Sequence, residues 1–180
     1  MEDRSAKMLG IGINIFDLFG ISLVLIAAFV FQVGLHELPC PLCLLQRLGL
    51  LGIAFGTLLN LRYGTRVIHY ALSCLSAIFM GVVAARQIFL HIAPGDKGYG
   101  AAFLGYHMYT WSFIVAVAFI LFTMLVLMIE KQFKPVALKL PAVEKHIINI
   151  IIGLIVLLAL VNLFSVFFEC GLNECPENPM

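Results

Sequence analysis

Charge is scarce in this 180-residue chain: 12% of its residues are Asp, Glu, Lys or Arg, and their formal sum is +1. A balance so near zero gives no electrostatic case for nucleic-acid binding. There is no internal repeat, no low-complexity tract and no polar stretch long enough for a separate soluble domain. Cysteine is sparse too, with five in all, and that count alone fixes no redox compartment. What fills the chain is hydrophobic: 62% of the residues, with a mean hydropathy of +1.06. Long apolar runs in such a composition read as transmembrane helices, and the length suits a single integral membrane domain over 1–180.

A hydrocarbon core about 30 Å thick takes about 20 helical residues to cross. Five segments qualify, roughly 11–35, 44–61, 67–93, 106–129 and 146–168, so the expected fold class is an all-α membrane protein. The first is too long for an ordinary signal-peptide core and lacks a small-x-small cleavage site before the cysteines, so an uncleaved anchor is expected. Basic residues set the orientation. If all five segments cross, Arg4, Lys7, Arg62, Arg66, Lys131, Lys134, Lys139 and Lys145 share one side, eight of the eleven Lys and Arg. That side is expected to be cytoplasmic, with the C-terminus outside. The outer connection 94–105 carries Gly95, Gly98, Gly100 and Gly105 and reads as a mobile loop. Pro135 and Pro141 suit a short irregular link before the last segment.

On this topology both cysteine pairs lie outside, where disulfides persist. Cys40-Pro41-Leu42-Cys43 follows the first segment and opens the second, with Pro41 where a first helical residue would stand. A thiol at a helix N-terminus meets the positive end of the dipole, which favours the thiolate. Arg47, four residues after Cys43, falls on the same helix face. A redox pair, half a metal site and an inert bridge all remain open for this motif. Cys170 and Cys175 follow the last segment, in an outer tail over 169–180 flanked by Glu169, Glu174 and Glu177. They form either an exchanging pair or a staple. Cys74 lies alone inside the third segment, where a thiol is usually a small packing residue.

Polar groups in the apolar segments point to function by default. Arg86, Gln87 and His91 sit near the outer end of the third segment. Together with Arg47 they are candidates for binding a membrane-soluble carbonyl compound, although Arg47 and Arg86 also have the option of snorkelling to the interface. Tyr106, His107, Tyr109 and Trp111 suit an interfacial aromatic belt.

Phe31-Gln32, followed by Pro39-Cys40-Pro41-Leu42-Cys43-Leu44-Leu45-Gln46-Arg47, resembles the first outer loop and second-helix start of the disulfide bond formation protein B (DsbB) family. Ala84-Ala85-Arg86-Gln87 is similar to the family as well. The likeness runs over the first four helices. It implies a four-helix transmembrane bundle in the bacterial inner membrane, here with a fifth helix. It also implies a protein that takes electrons from a DsbA-like periplasmic thiol oxidase and gives them to a membrane quinone, ubiquinone or menaquinone. Position by position, Cys40 and Cys43 become the quinone-coupled pair, Cys43 the thiolate facing the quinone and Arg47 its assistant. Gln87 stands about where many members have a histidine. The family's second cysteine pair usually lies between helices 3 and 4, yet 94–105 contains no cysteine. The expectation from topology is that Cys170 and Cys175, delivered outside by the fifth helix, replace it. A vitamin K epoxide reductase-like quinone reductase is a weaker match, because that family places its C-x-x-C late in the bundle. The reading from another class is a membrane protein with a metal held by Cys40, Cys43, Cys170 and Cys175.

Overall fold

A computed structural model describes residues 2–34, 40–100, 102–134 and 142–171, without the side chains of Glu2, Val33, Ala142, Val143, Glu144, Glu169 and Cys170. Five helices carry the chain: α1 (Glu2–Gly34), α2 (Pro41–Tyr63), α3 (Val67–Leu90), α4 (Met108–Leu127) and α5 (Ala142–Cys170). Each contains a stretch long and apolar enough to cross a membrane. The apolar runs located all five, but not their ends. α1 begins nine residues before its apolar run, because Glu2, Arg4 and Lys7 are good helix formers that hydropathy overlooks. The proline-punctuated link at 135–141, with Pro135 and Pro141, lies outside the described residues.

The bundle is apolar outside and holds its polar groups inside. Phe16, Phe19, Val30, Leu48, Phe55, Val82 and Leu163 are all more than half exposed. In a lipid solvent such an exterior costs nothing, while buried polar groups need partners. The core joins Leu18 and Leu25 of α1, Leu50 and Ile53 of α2, Ala77 and Met80 of α3, Ala116 of α4, and Ile155 and Leu158 of α5. α2 and α3 approach most closely. A Cβ on Gly49 would lie 2.6 Å from Met80 Cβ, and one on Gly52 2.5 Å from Ser76 Oγ, so only glycine permits this spacing. α5 packs along α1 and α2.

One end of the bundle is closed by a buried polar network. Asn60 Nδ2 donates to Asn14 Oδ1 at 3.0 Å, and Asn60 Oδ1 accepts from the Arg66 N–H at 3.0 Å. Asn14 Nδ2 donates to Tyr70 Oη, which donates on to Gln132 Oε1. Gln132 sits in a 3-10 turn over Glu130–Phe133 and caps Val126 O at 2.6 Å. Side chains from α1, α2, α3 and this turn thereby satisfy one another.

The opposite end carries Cys40, the start of α4 and the end of α5. Here the connection expected to be a mobile loop is built on hydrogen bonds instead. Two short strands, β1 (Ala102–Phe103) and β2 (Tyr106–His107), pair antiparallel around Leu104 and Gly105. Both turn residues have positive φ, 50° and 83°, as a two-residue hairpin turn requires, and at Leu104 that conformation is strained. Asp96 accepts the Gly98 N–H at 2.7 Å, and Trp111 Nε1 donates to Phe103 O at 2.9 Å. The Gly98 N–H, with His91 second, holds the Asp96 carboxyl below its usual range.

Candidate active site

Cys40 is the N-cap of α2. Its backbone is extended (φ −70°, ψ 159°), Pro41 opens the helix, and Cys40 Sγ accepts the Cys43 N–H at 3.2 Å. Proline at that position sets the helical φ and leaves the cap geometry to the sulfur. Both thiols are free, Cys40 buried and Cys43 half-buried. Gln87, fully buried on α3, bridges them: its Nε2 lies 3.3 Å from Cys40 Sγ and 3.7 Å from Cys43 Sγ. Gln46 Nε2 donates to Gln87 Oε1 at 2.7 Å, which turns the Gln87 amide N–H groups toward the sulfurs.

These donors decide which sulfur carries the charge. A hydrogen bond from the Cys43 thiol brings the Cys40 pKa down to about 7 against the opposing effect of burial, with the Cys43 N–H and Gln87 adding to it. In the dithiol form Cys40 is therefore the sulfur that ionises near neutrality. The Cys43 thiol is the larger cause, and the helix N–H at the cap adds to it. Cys43 has the other distinction, that of facing a cavity.

That cavity, of about 90 Å³, lies between α1 and α4, two helices with little mutual contact. Cys43, Gln46, Arg47 and Leu50 line it from α2, and Val24, Ala28, Phe31 and Gln32 from α1. Tyr99 and Gly100 of the outer connection and Met108, Tyr109 and Ser112 of α4 complete it. Arg47 is only 7% exposed. Its guanidinium donates to Gln32 Oε1 at 2.6 Å and to Ala28 O at 3.1 Å, and lies 4.8 Å from the centre of the Phe29 ring. The bound carbonyl of Ala28 and the ring hold a delocalised cation in an apolar slot, a task that suits arginine better than lysine.

The remaining candidates spread out. His91 bonds Asp96 at 3.2 Å and stacks on Tyr109, so it meets the cavity wall from behind. Arg86 is exposed and does not line the cavity. The backbone of Cys170 ends α5, while its side chain and Cys175 lie outside the described residues. Gln32 and Gln46 carry no role in the sequence reading. The available signal was two amides inside apolar helices, each of which needs a partner. Gln32 also donates through Nε2 to Ser165 Oγ at 2.8 Å, so Arg47, Gln32 and Ser165 form one string across α2, α1 and α5. Ser165 stands five residues before Cys170, which places the cysteine-bearing end of α5 at the Cys40–Cys43 end of the bundle.

The family model for disulfide bond formation protein DsbB matches residues 13–100. Over that span, just under half of its length, the chain is similar to the DsbB family. A curated relative, disulfide bond formation protein B of Pseudomonas syringae pv. tomato (strain ATCC BAA-871 / DC3000), is 42% identical over 74 residues. The aligned segment is 39% of this chain and 43% of that protein, so the chain spans under half the length of this relative. No solved structure matches significantly. The DsbB match takes in α1, α2 and α3, with Cys40, Cys43, Arg47, Arg86, Gln87 and His91, and it ends before α4. The likeness expected over four helices is thus found over three, and α5 with its cysteines falls beyond it.

Proposed function

We propose that this protein is a membrane dithiol:quinone oxidoreductase of the bacterial inner membrane, working as one membrane domain with both cysteine pairs on the periplasmic side. It reoxidises a DsbA-like periplasmic partner and passes the electrons to ubiquinone or menaquinone. The observation that carries this reading is that Cys43, half of a helix-capping C-x-x-C, lines the same apolar cavity as the buried guanidinium of Arg47.

The donor set fits a quinone head group. Arg47, Gln46, Gln32, Tyr109 and Ser112 are polar members of the lining, and Val24, Ala28, Phe31, Leu50 and Met108 make an apolar surround. The volume of about 90 Å³ is below the ~150 Å³ of a cavity that takes benzene, so a ring enters only as the slot widens. A quinone supplies an acceptor for two electrons and two protons. The chain's own residues do the rest. Cys40 and Cys43 give up two electrons and two protons as their disulfide forms, Gln87 steadies the charged Cys40 sulfur, and Arg47 offers its N–H groups to a carbonyl oxygen.

Supply of electrons comes through the tail. A reduced dithiol on the partner attacks the Cys170–Cys175 disulfide through a mixed disulfide, and the resulting dithiol reduces Cys40–Cys43 by a second exchange. The string from Arg47 through Gln32 to Ser165 supports this, because it holds the end of α5 beside the first pair. The test is steady-state quinone reduction by the purified chain, with a reduced DsbA-type protein as donor. Wild type turns over, while Cys43→Ser and Cys170→Ser each lose turnover at least a hundredfold. Full activity of Cys170→Ser would reduce the tail pair to a staple, and no turnover by wild type with either quinone would refute the reading.

A further inference from the structure

Between Asn162 and Glu169 the last turns of α5 hold a single polar side chain, Ser165, among leucine, valine and phenylalanines. Its hydroxyl is half-buried and meets α1, where Gln32 Nε2 donates to Ser165 Oγ at 2.8 Å. The other end of the same amide is taken as well, since Gln32 Oε1 accepts from Arg47 Nη1 at 2.6 Å. Chemistry fixes the order of this string. A guanidinium has donors only, so Arg47 takes the carbonyl end of the amide. The NH2 end is thereby turned to α5, where it needs an acceptor. Ser165 supplies one, and an apolar residue at that place would leave the N–H without this partner among hydrocarbon, at a cost.

Gln32 is a long side chain with several torsions to freeze. Held at both ends, its amide stays in one rotamer. Held by Arg47 alone, it swings with the guanidinium instead of fixing it. We propose that Ser165 is a positioning residue for the Cys43 cavity: acting through Gln32, it sets the direction in which the Arg47 guanidinium faces, so that the fifth helix helps to set the affinity for quinone. Gln32 and Arg47 both line that cavity, and among the described residues none from α5 does. Ser165 therefore acts from behind the wall, without touching the ligand. The remaining contacts of Arg47, Ala28 O at 3.1 Å and the Phe29 ring at 4.8 Å, come from α1. The Gln32 amide is thus the link that carries the position of α5 to the cation. α5 lies beyond residues 13–100, so this task is additional to what the family match covers. The inference rests on the proposed reaction for quinone as the ligand.

The test uses the full chain in phosphatidylcholine nanodiscs, as wild type, Ser165→Ala and Ser165→Thr, with Ser165→Ala also placed in an Arg47→Gln background. Alanine is a good helix former, and circular dichroism checks that the helices persist. One readout is binding of decylubiquinone to the oxidised protein, followed by quenching of Trp111, the single tryptophan, which neighbours the cavity residue Ser112 on α4. Ser165→Ala is expected to weaken binding about fivefold, the worth of one neutral hydrogen bond, and Ser165→Thr to restore it. In the Arg47→Gln background Ser165→Ala adds no further loss, because no guanidinium is left to position. The other readout needs no quinone. Modification of Arg47 by phenylglyoxal, read by peptide mass spectrometry, should run about threefold faster or more in Ser165→Ala than in wild type. An unchanged Arg47 rate overturns the inference, and so does unchanged quinone binding in Ser165→Ala. A loss of the same size in the Arg47→Gln background overturns it too, by making Ser165 a plain clamp between α1 and α5. No saturable binding by wild type would sink the proposed reaction, and the Arg47 rate would then decide the positioning role by itself.

Discussion

Cys40 and Cys43 differ less in chemistry than in what faces each sulfur. Cys40 receives the Cys43 N–H and the Gln87 amide, and Cys43 borders the cavity with Arg47. Alkylation of the reduced protein by iodoacetamide should therefore modify Cys40 with a rate that rises with pH through about 7 and then levels. Replacing Gln87 with Leu withdraws one donor from the thiolate. The midpoint then moves upward, and the Cys40 rate at pH 7 falls roughly threefold to tenfold. An unchanged profile would remove Gln87 from the site. Arg47→Gln keeps a donor but loses the cation and its fork. It is expected to cut turnover at saturating quinone at least tenfold, with Arg47→Lys recovering little of it, as steady-state kinetics would read. Much at this scale was legible in the sequence: the C-x-x-C, the proline at the first helical position and an arginine one turn on carry their geometry with them. The Gln46–Gln87 pair was not, because α2 and α3 come into register only through packing, and no spacing within one helix announces it.

The α2–α3 pair is the most closely packed part of the bundle, and its closeness depends on glycine. Gly49→Ala puts a methyl 2.6 Å from Met80 Cβ, which forces the two helices apart and destabilises by about 1–3 kcal/mol. A lowered thermal unfolding temperature in detergent is the readout, and wild-type stability would contradict the packing. At the closed end Asn60→Leu leaves Asn14, Arg66 and His69 each short of a partner. The expected loss is about 2–4 kcal/mol, from several bonds rather than one. Helix positions followed from hydropathy, since a run of about 20 apolar residues has few other solutions. The outer connection did not. Its four glycines suggested freedom, whereas Asp96, Gly100 and Phe103 give that stretch fixed partners. Such bonds depend on groups two to eight residues apart meeting in a turn, and a count of glycines is blind to them.

For the whole molecule, α4 and α5 lie beyond the part that matches the DsbB family, and of the two α5 carries a cysteine. α5 runs in the same direction as α1, with Ser165 held to Gln32. The relay requires its end to face the periplasm. Labelling of intact spheroplasts with a membrane-impermeant maleimide, after mild reduction, should modify Cys170. Protection of Cys170 until the membrane is permeabilised would place it in the cytoplasm and end the relay. The central claim is narrower, that Cys40 and Cys43 hand their electrons to a quinone without help from the tail. The most direct measurement is a single anaerobic turnover of pre-reduced Cys170→Ser protein with one equivalent of decylubiquinone, followed by quinol absorbance and by mass spectrometry of the cysteines. The expected result is close to one quinol per chain with a Cys40–Cys43 disulfide formed in the same time course. Free thiols at Cys40 and Cys43 beside unreacted quinone would contradict the account.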